Sequence, residues 1–165
     1  MSHAPISERI PAGTAAHGSS NARLIRCLMS AALCLFLTSV STGQSIFGRW
    51  VTIDDNTGKK RSIVEITERS GKAYGTIARL FREPGEEADP ICDECDTDDD
   101  RHNKKVIGME FIRDMVPDGD EWKDGTILDP ENGKVYDCKL WVEDGKLMVR
   151  GYIAFFYRTQ VWVRE

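Results

Sequence analysis

The sequence contains only 3 histidines. His3 and His17 fall within the first 43 residues, so His102 stands alone after them. A site built from several imidazoles is thereby excluded. Serine is nearly as scarce, with Ser45, Ser62 and Ser70 the only serines after residue 43. None of them sits in a Gly-x-Ser-x-Gly context, and a Ser-His-Asp triad would have to recruit His102 from a long loop. Basic charge is short as well: residues 44–165 carry 19 Lys and Arg against 26 Asp and Glu, a formal net charge of −7. Such a surface repels phosphate backbones, so nucleic acid is not an expected partner, and it offers no basic patch to an anionic membrane. The same region also shows no convincing helical period of apolar residues.

One long apolar run is present, from Cys27 to Val40, preceded by a polar arm with Arg23 and Arg26 and followed by 41-STGQS-45. The run is short for a bilayer span and of the size of a signal-peptide apolar region. Ser41 and Gly43 suit a cleavage just after Gly43. This order predicts a removed signal peptide over 1–43, one domain over 44–165, a periplasmic or secreted location, and no stable membrane insertion once the leader is gone. An uncleaved anchor is the alternative. Cys34 follows Ala-Ala-Leu in mid-run, which does not make a lipoprotein signal.

From Ile46 onward the chain alternates with period two and is punctuated by turn residues, the pattern of short antiparallel strands. Eight strands are predicted, at about 46–53, 60–68, 72–82, 106–115, 121–129, 134–143, 146–154 and 157–164. Asn56-Thr57-Gly58, Ser70-Gly71, Asp118-Gly119, Asn132-Gly133 and Asp144-Gly145 each place a residue tolerant of positive φ where a tight hairpin needs one. Eight strands joined mostly by tight hairpins form a meander, whose edges vanish most simply if the first strand pairs with the eighth. The expected fold is therefore all-β, a single eight-stranded antiparallel up-and-down β-barrel. A curved open sheet or a two-sheet sandwich shares the same pattern. The one long connection, about 82–105, is expected to hang over one mouth as a lid.

That connection contains 90-PICDECDTDDDRH-102. Zinc would take Cys92, Cys95, His102 and Cys138, although Cys138 alternates with Tyr136 and Leu140 and should face the barrel interior. A redox thiol would need a depressed pKa, whereas Asp93, Glu94 and Asp96 would raise it. In an oxidising compartment the default for neighbouring cysteines is a structural disulfide. Cys92, Cys95 and Cys138 are the candidates, with a Cys92–Cys95 pair and a longer loop closed to Cys138 both open, and one thiol is left over, Cys138 the best candidate for it. A stapled acidic loop is the expectation, with no metal and no cofactor. Asp96, Asp98 and Asp100 begin like a calcium loop, but Arg101 stands where Gly is needed and Ile107 where a bidentate Glu is needed.

In the first predicted strand, 48-GRW-50 resembles the Gly-x-Trp element of lipocalins, whose Trp closes the barrel floor. The text 125-GTILDPENGKVYDCKLWVEDGKLMVRGYI-153, with 107-IGMEFI-112 and 158-RTQVWVR-164, closely resembles the exported bacterial family called domain of unknown function 2147. The resemblance implies a lipocalin-like (calycin-like) β-barrel, exported by bacteria, and supplies no catalytic residue. It implies a floor in which Gly48 and Trp50 meet an arginine of the last strand, Arg164 or Arg158.

Eight strands enclose room for about one small ligand when the interior is not filled by side chains. The candidate interior set is Tyr74, Phe111, Tyr136, Leu140 and Tyr152, a composition that could orient an amphipathic molecule. The expected function is binding of a small apolar or amphipathic molecule. Two alternatives stand beside it: a hydrolase using paired carboxylates at the mouth, such as Asp114, Asp124 and Asp129, and an interaction or envelope module with a filled barrel.

Overall fold

The computed structural model describes residues 44–165, so the expected leader lies outside the described residues. Eight strands follow in order: β1 (Gly48–Ile53), β2 (Lys60–Arg69), β3 (Lys72–Leu80), β4 (Glu110–Asp118), β5 (Glu121–Asp129), β6 (Lys134–Glu143), β7 (Lys146–Ile153) and β8 (Phe156–Arg164). Each pairs antiparallel with its neighbour, and β1 pairs with β8 through Trp50↔Arg164 and Val51↔Val163 to close a barrel. The open sheet and the sandwich are thereby set aside. Ser70 and Gly71 (φ 54° and 75°) and Asp144 and Gly145 (φ 50° and 75°) both take left-handed conformations, the turn geometry whose twist matches that of the flanking strands. The fourth strand begins four residues later than its apolar text suggests. Val106 and Met109 are buried, but the Val106 N–H donates to the Pro90 carbonyl in the loop, and Gly108, at φ 87°, makes with Met109 only an irregular contact to Ile77 before the regular ladder begins.

Topology sorts the connections between the two ends. The hairpins at 70–71, 119–120 and 144–145 share one end with both termini of the described chain. Those at 54–59, 130–133 and 154–155 share the other with the long 81–109 connection. The first end is plugged. Trp50 is fully buried, its indole Nε1 donates to the Ile46 carbonyl at 2.7 Å, and the Arg164 guanidinium lies 3.8 Å over its ring. Arg164 Nη1 also donates to the Phe47 carbonyl at 2.6 Å, so one planar group covers the indole face and ties down the entering chain. Gly48 is required beneath it, since it holds φ 106° and a Cβ there would sit 2.8 Å from Arg164 Nη1. Arg158, the other candidate for this position, points to the opposite end and pairs with Asp55.

Above the plug, Trp162 stacks on Phe111 at 6.2 Å, and Ile66, Ile112, Met115, Leu140, Leu147 and Val64 are fully buried around them. The wall is tight at Gly125, where a Cβ would fall 2.4 Å from the Arg113 carbonyl and 2.6 Å from Met115 Sδ. Asp114 and Asp124 flank this approach with φ 59° each, marking bulges in adjacent strands.

The long connection is a built element. Ile91 bridges Lys105, Cys92 N–H donates to the Lys104 carbonyl, and Asn103 N–H donates back to Cys92. Cys92 and Cys95 form a disulfide, and Cys138 is a buried free cysteine. The stapled tip lies against the outer wall rather than across the mouth, which corrects the lid expectation. Cys92 Sγ meets the Pro130 carbonyl at 3.6 Å, and Arg113, on the outer face of β4, holds Asp100 at 2.6 Å. Leu128 points outward in register yet is only 1% exposed, as expected beneath this flap. Gly133 makes the contact possible: the Glu94 carbonyl passes 1.7 Å from where its Cβ would be.

Candidate functional site

The candidate site is the end opposite the Trp50 plug. Strand register gives the residues that face inward there. Ile127 and Tyr136 are partners across β5 and β6, Cys138 pairs with Gly151, and Gly151 pairs with Arg158. A Cβ on Gly151 would meet Tyr136 Cβ at 3.5 Å and Ile127 Cγ2 at 3.8 Å, which places all three on one inner surface. Along the inner face of β8 exposure then rises with height, from Trp162 at 1% through half-buried Gln160 to the Arg158 side chain at 64% and Phe156 at 76%. Side chains that face inward and still meet solvent describe a cup open at this end. The missing side chain of Gly151 adds space at its wall.

The cup is amphipathic. Ile127, Ile153 and Phe156 supply apolar surface, and Tyr136, Gln160 and Arg158 supply polar groups. The Gln160 Oε1 accepts from Trp162 Nε1 at 3.2 Å, leaving the amide nitrogen as the donor available to the cup. Arg158 donates to Asp55 through Nε and Nη2 at 3.0 and 2.6 Å. Deeper on the other side Thr52 and Ser62 satisfy each other at 2.8 Å. At the rim, burial pushes the Asp129 carboxyl above the ordinary range, opposed by the charges of Arg61 and Arg158 and by a hydrogen bond from Asn132. Burial also pushes the Cys138 thiol up to about 12. It is an inert apolar group at neutral pH.

The structure brings together part of the expected interior set. Tyr136 lines the cup, Leu140 and Phe111 lie in the packed layer below it, and two tyrosines are on the wrong face. Tyr74 points outward, donating to Asp114 at 3.0 Å beneath the Arg69 guanidinium, because Ala73, Gly75 and Ile77 are the inner residues of β3. Tyr152 also points outward and meets Tyr157 at 6.0 Å, because Leu147, Val149 and Gly151 take the inner positions of β7. The carboxylate alternative loses two members for the same reason. Asp114 is an outer-wall group held low by Lys72 and Tyr74, and Asp124 lines an outer-wall depression of about 500 Å³ with Lys123, Asp137, Lys139 and Tyr152. Both lysines of that depression already pair, with Asp118 and Glu121, so it offers no free cation beside the Asp124 and Asp137 carboxylates.

Several flap groups are likewise committed. The bonded sulfurs of Cys92 and Cys95 are not available as thiolate ligands, and His102 Nδ1 is 2.7 Å from the Cys95 carbonyl. Asp96 accepts from the Asp98 N–H, and Asp99 chelates the buried Arg101 at 2.8 and 2.6 Å. That guanidinium holds the Asp99 carboxyl far below the usual range.

Residues 48–164 match the family model described as "Uncharacterized protein conserved in bacteria (DUF2147)". The chain belongs to this family. Among solved structures, the family member is similar to the Helicobacter pylori protein HP1028, described as belonging to the lipocalin family, with a TM-score of 0.59 and 18% identity over 73% of this chain and 83% of that one. At that identity the likeness concerns the fold, a lipocalin-like barrel. A comparison with curated proteins finds no match. A disulfide in a member of a bacterial family suggests an oxidising compartment.

Proposed function

We propose that this member of the family binds one small amphipathic molecule in the open cup, as an exported protein freed of residues 1–43. The apolar part of the ligand would lie on Ile127, Ile153 and Phe156, and its polar or anionic head would meet Tyr136, Gln160 and Arg158. The observation that carries this reading is the rise in exposure along the inner face of β8, from Trp162 at 1% to Phe156 at 76%. The last residues of a strand meet solvent in any barrel, but side chains filling the interior would bury the inner face below them, where Gln160 is half-buried and Arg158 exposed. A concave, largely apolar surface with a few convergent polar groups is the usual form of a small-molecule site.

Native mass spectrometry of the protein recovered from its host envelope should show a retained small molecule, on a chain beginning near Gln44. Gly151→Leu should abolish that retention while changing stability by less than about 1 kcal/mol, since the position meets only ordinary contacts and the new side chain projects into the cup. A variant that folds and still carries the ligand would sink the cup assignment.

A further inference from the structure

Six tight turns join neighbouring strands. Five of them place a glycine at positive φ: Gly58, Gly71, Gly119, Gly133 and Gly145. The sixth, between β7 and β8, places Ala154 there at φ 49°, followed by Phe155. A residue with a Cβ is disfavoured in that conformation, and an Ala-Phe turn lacks the polar groups that suit a solvated tip. The tip is nevertheless apolar throughout. Phe155 is 97% exposed, and Ile153, Phe156 and Tyr157 are exposed beside it. Ile153 pairs with Phe156 on the inner face and Tyr152 with Tyr157 on the outer, so apolar side chains project on both faces of the hairpin and at its end.

A folded partner protein would cover one side of such a projection, whereas a fluid interface surrounds it. One layer behind the tip stands a positive charge. The Arg150 guanidinium lies 4.4 Å over Tyr157 and 4.9 Å from Trp141, and its hydrogen-bond partner among the described residues is the Thr159 hydroxyl at 2.7 Å, not a carboxylate. Aromatic rings at an apolar boundary with arginine just behind them match the layering of a bilayer interface, where the phosphates lie outside the acyl region.

We propose that the 153–157 tip inserts into the interfacial layer of a phospholipid bilayer, with Arg150 toward the lipid phosphates, holding the barrel reversibly at the membrane with its open end facing the lipid. This is peripheral contact, distinct from a membrane span, and it stands whether or not the cup holds a ligand. With a formal net charge of −7 over residues 44–165, long-range attraction to anionic lipid is absent. The contact is apolar, persists at high salt, and needs no anionic headgroup.

The test places a reporter at the tip. Phe155→Trp, mixed with phosphatidylcholine vesicles, should shift its emission to the blue and be quenched by brominated acyl chains beyond the level set by the parent's own tryptophans. Association through any other segment would not move a signal at this position. Phe155→Ser, at the tip residue that takes no part in the cup, should weaken vesicle flotation about tenfold while melting like the parent, because that ring is 97% exposed. An unshifted, unquenched reporter, or undiminished flotation of Phe155→Ser, would overturn the proposal. So would a reporter already shielded without vesicles in a protein that sediments as a dimer, which would assign the tip to a second copy of the chain.

Discussion

The two ends of the barrel use the same strands to opposite effect. At one, Trp50 and Arg164 close the space between β1 and β8 and the entering chain is bonded to the plug. At the other, the same inner face of β8 carries Gln160, Arg158 and Phe156 into contact with solvent. Close packing and exposed inner surface are thus separated along the barrel axis. The plugged end can be optimised for packing because the open end carries the exposed inner surface.

Substitutions should break this asymmetry in graded steps. Trp50→Ala removes the plug and should cost about 3–5 kcal/mol in urea unfolding. A variant melting like the parent would show that the plug is dispensable. Next come the two arginines of β8, an internal control on one inner face. Arg164→Met loses the indole cover and the donor to two backbone carbonyls, of Phe47 and Ser45, for roughly 1–2 kcal/mol. Arg158→Met removes an exposed pair with Asp55 and should cost less than about 1 kcal/mol. Equal losses would erase the distinction between the ends.

Removing the staple with Cys92→Ala and Cys95→Ala closes no long loop, so the global loss should be about 2 kcal/mol or less. The larger effect should be local, as faster amide exchange across 90–106 with the β7 and β8 amides unchanged. The smallest effects are acid-base, and the two of opposite sign lie at the open end. Asp54 is held at about 2 by hydrogen bonds from Thr57, with Arg61 adding to them. Its contribution is present above the unfolded carboxylate value and disappears as pH falls toward 2, so Asp54→Asn should flatten that part of an acid titration. Asp129 has the opposite sign. Its raised value means the folded state takes up a proton first, so its charge opposes folding as pH rises through that window. Carboxyl resonances followed against pH should show Asp129 titrating above, and Asp54 below, the ordinary range.

Much of the fold was legible because the hairpin turns are written locally: Ser70-Gly71 and Asp144-Gly145 can hardly be read otherwise. The sidedness of two strands was not. On β7 the inner positions end in Gly151, and on β3 they are Ala73, Gly75 and Ile77, so the large tyrosines next to them drew the eye inward although the register turns them out. Bulges make the count harder still, with shifts in the β3–β4 pairing at Ala73 and Gly75. The position of the flap was hidden for a different reason. It depends on a contact between Glu94 and Gly133, and a glycine in an Asn-Gly turn already has a sufficient local explanation.

The three cysteines of residues 44–165 are interchangeable in the unfolded chain, where any two could couple. Folding makes them unequal. Cys92 and Cys95 are neighbours whose joining asks nothing of the rest of the chain, while closure of the barrel seals Cys138 behind apolar side chains with its thiol pushed up to about 12. Exchange proceeds through a thiolate, so the sealed sulfur has neither the ionised form nor the access to attack the finished bond. Cys92 and Cys95 are themselves 0% and 3% exposed, out of reach of external reductants. The barrel therefore works as a protecting group for its own oxidation pattern: a mispaired chain stays open to correction, and a correctly paired one removes itself from the reaction.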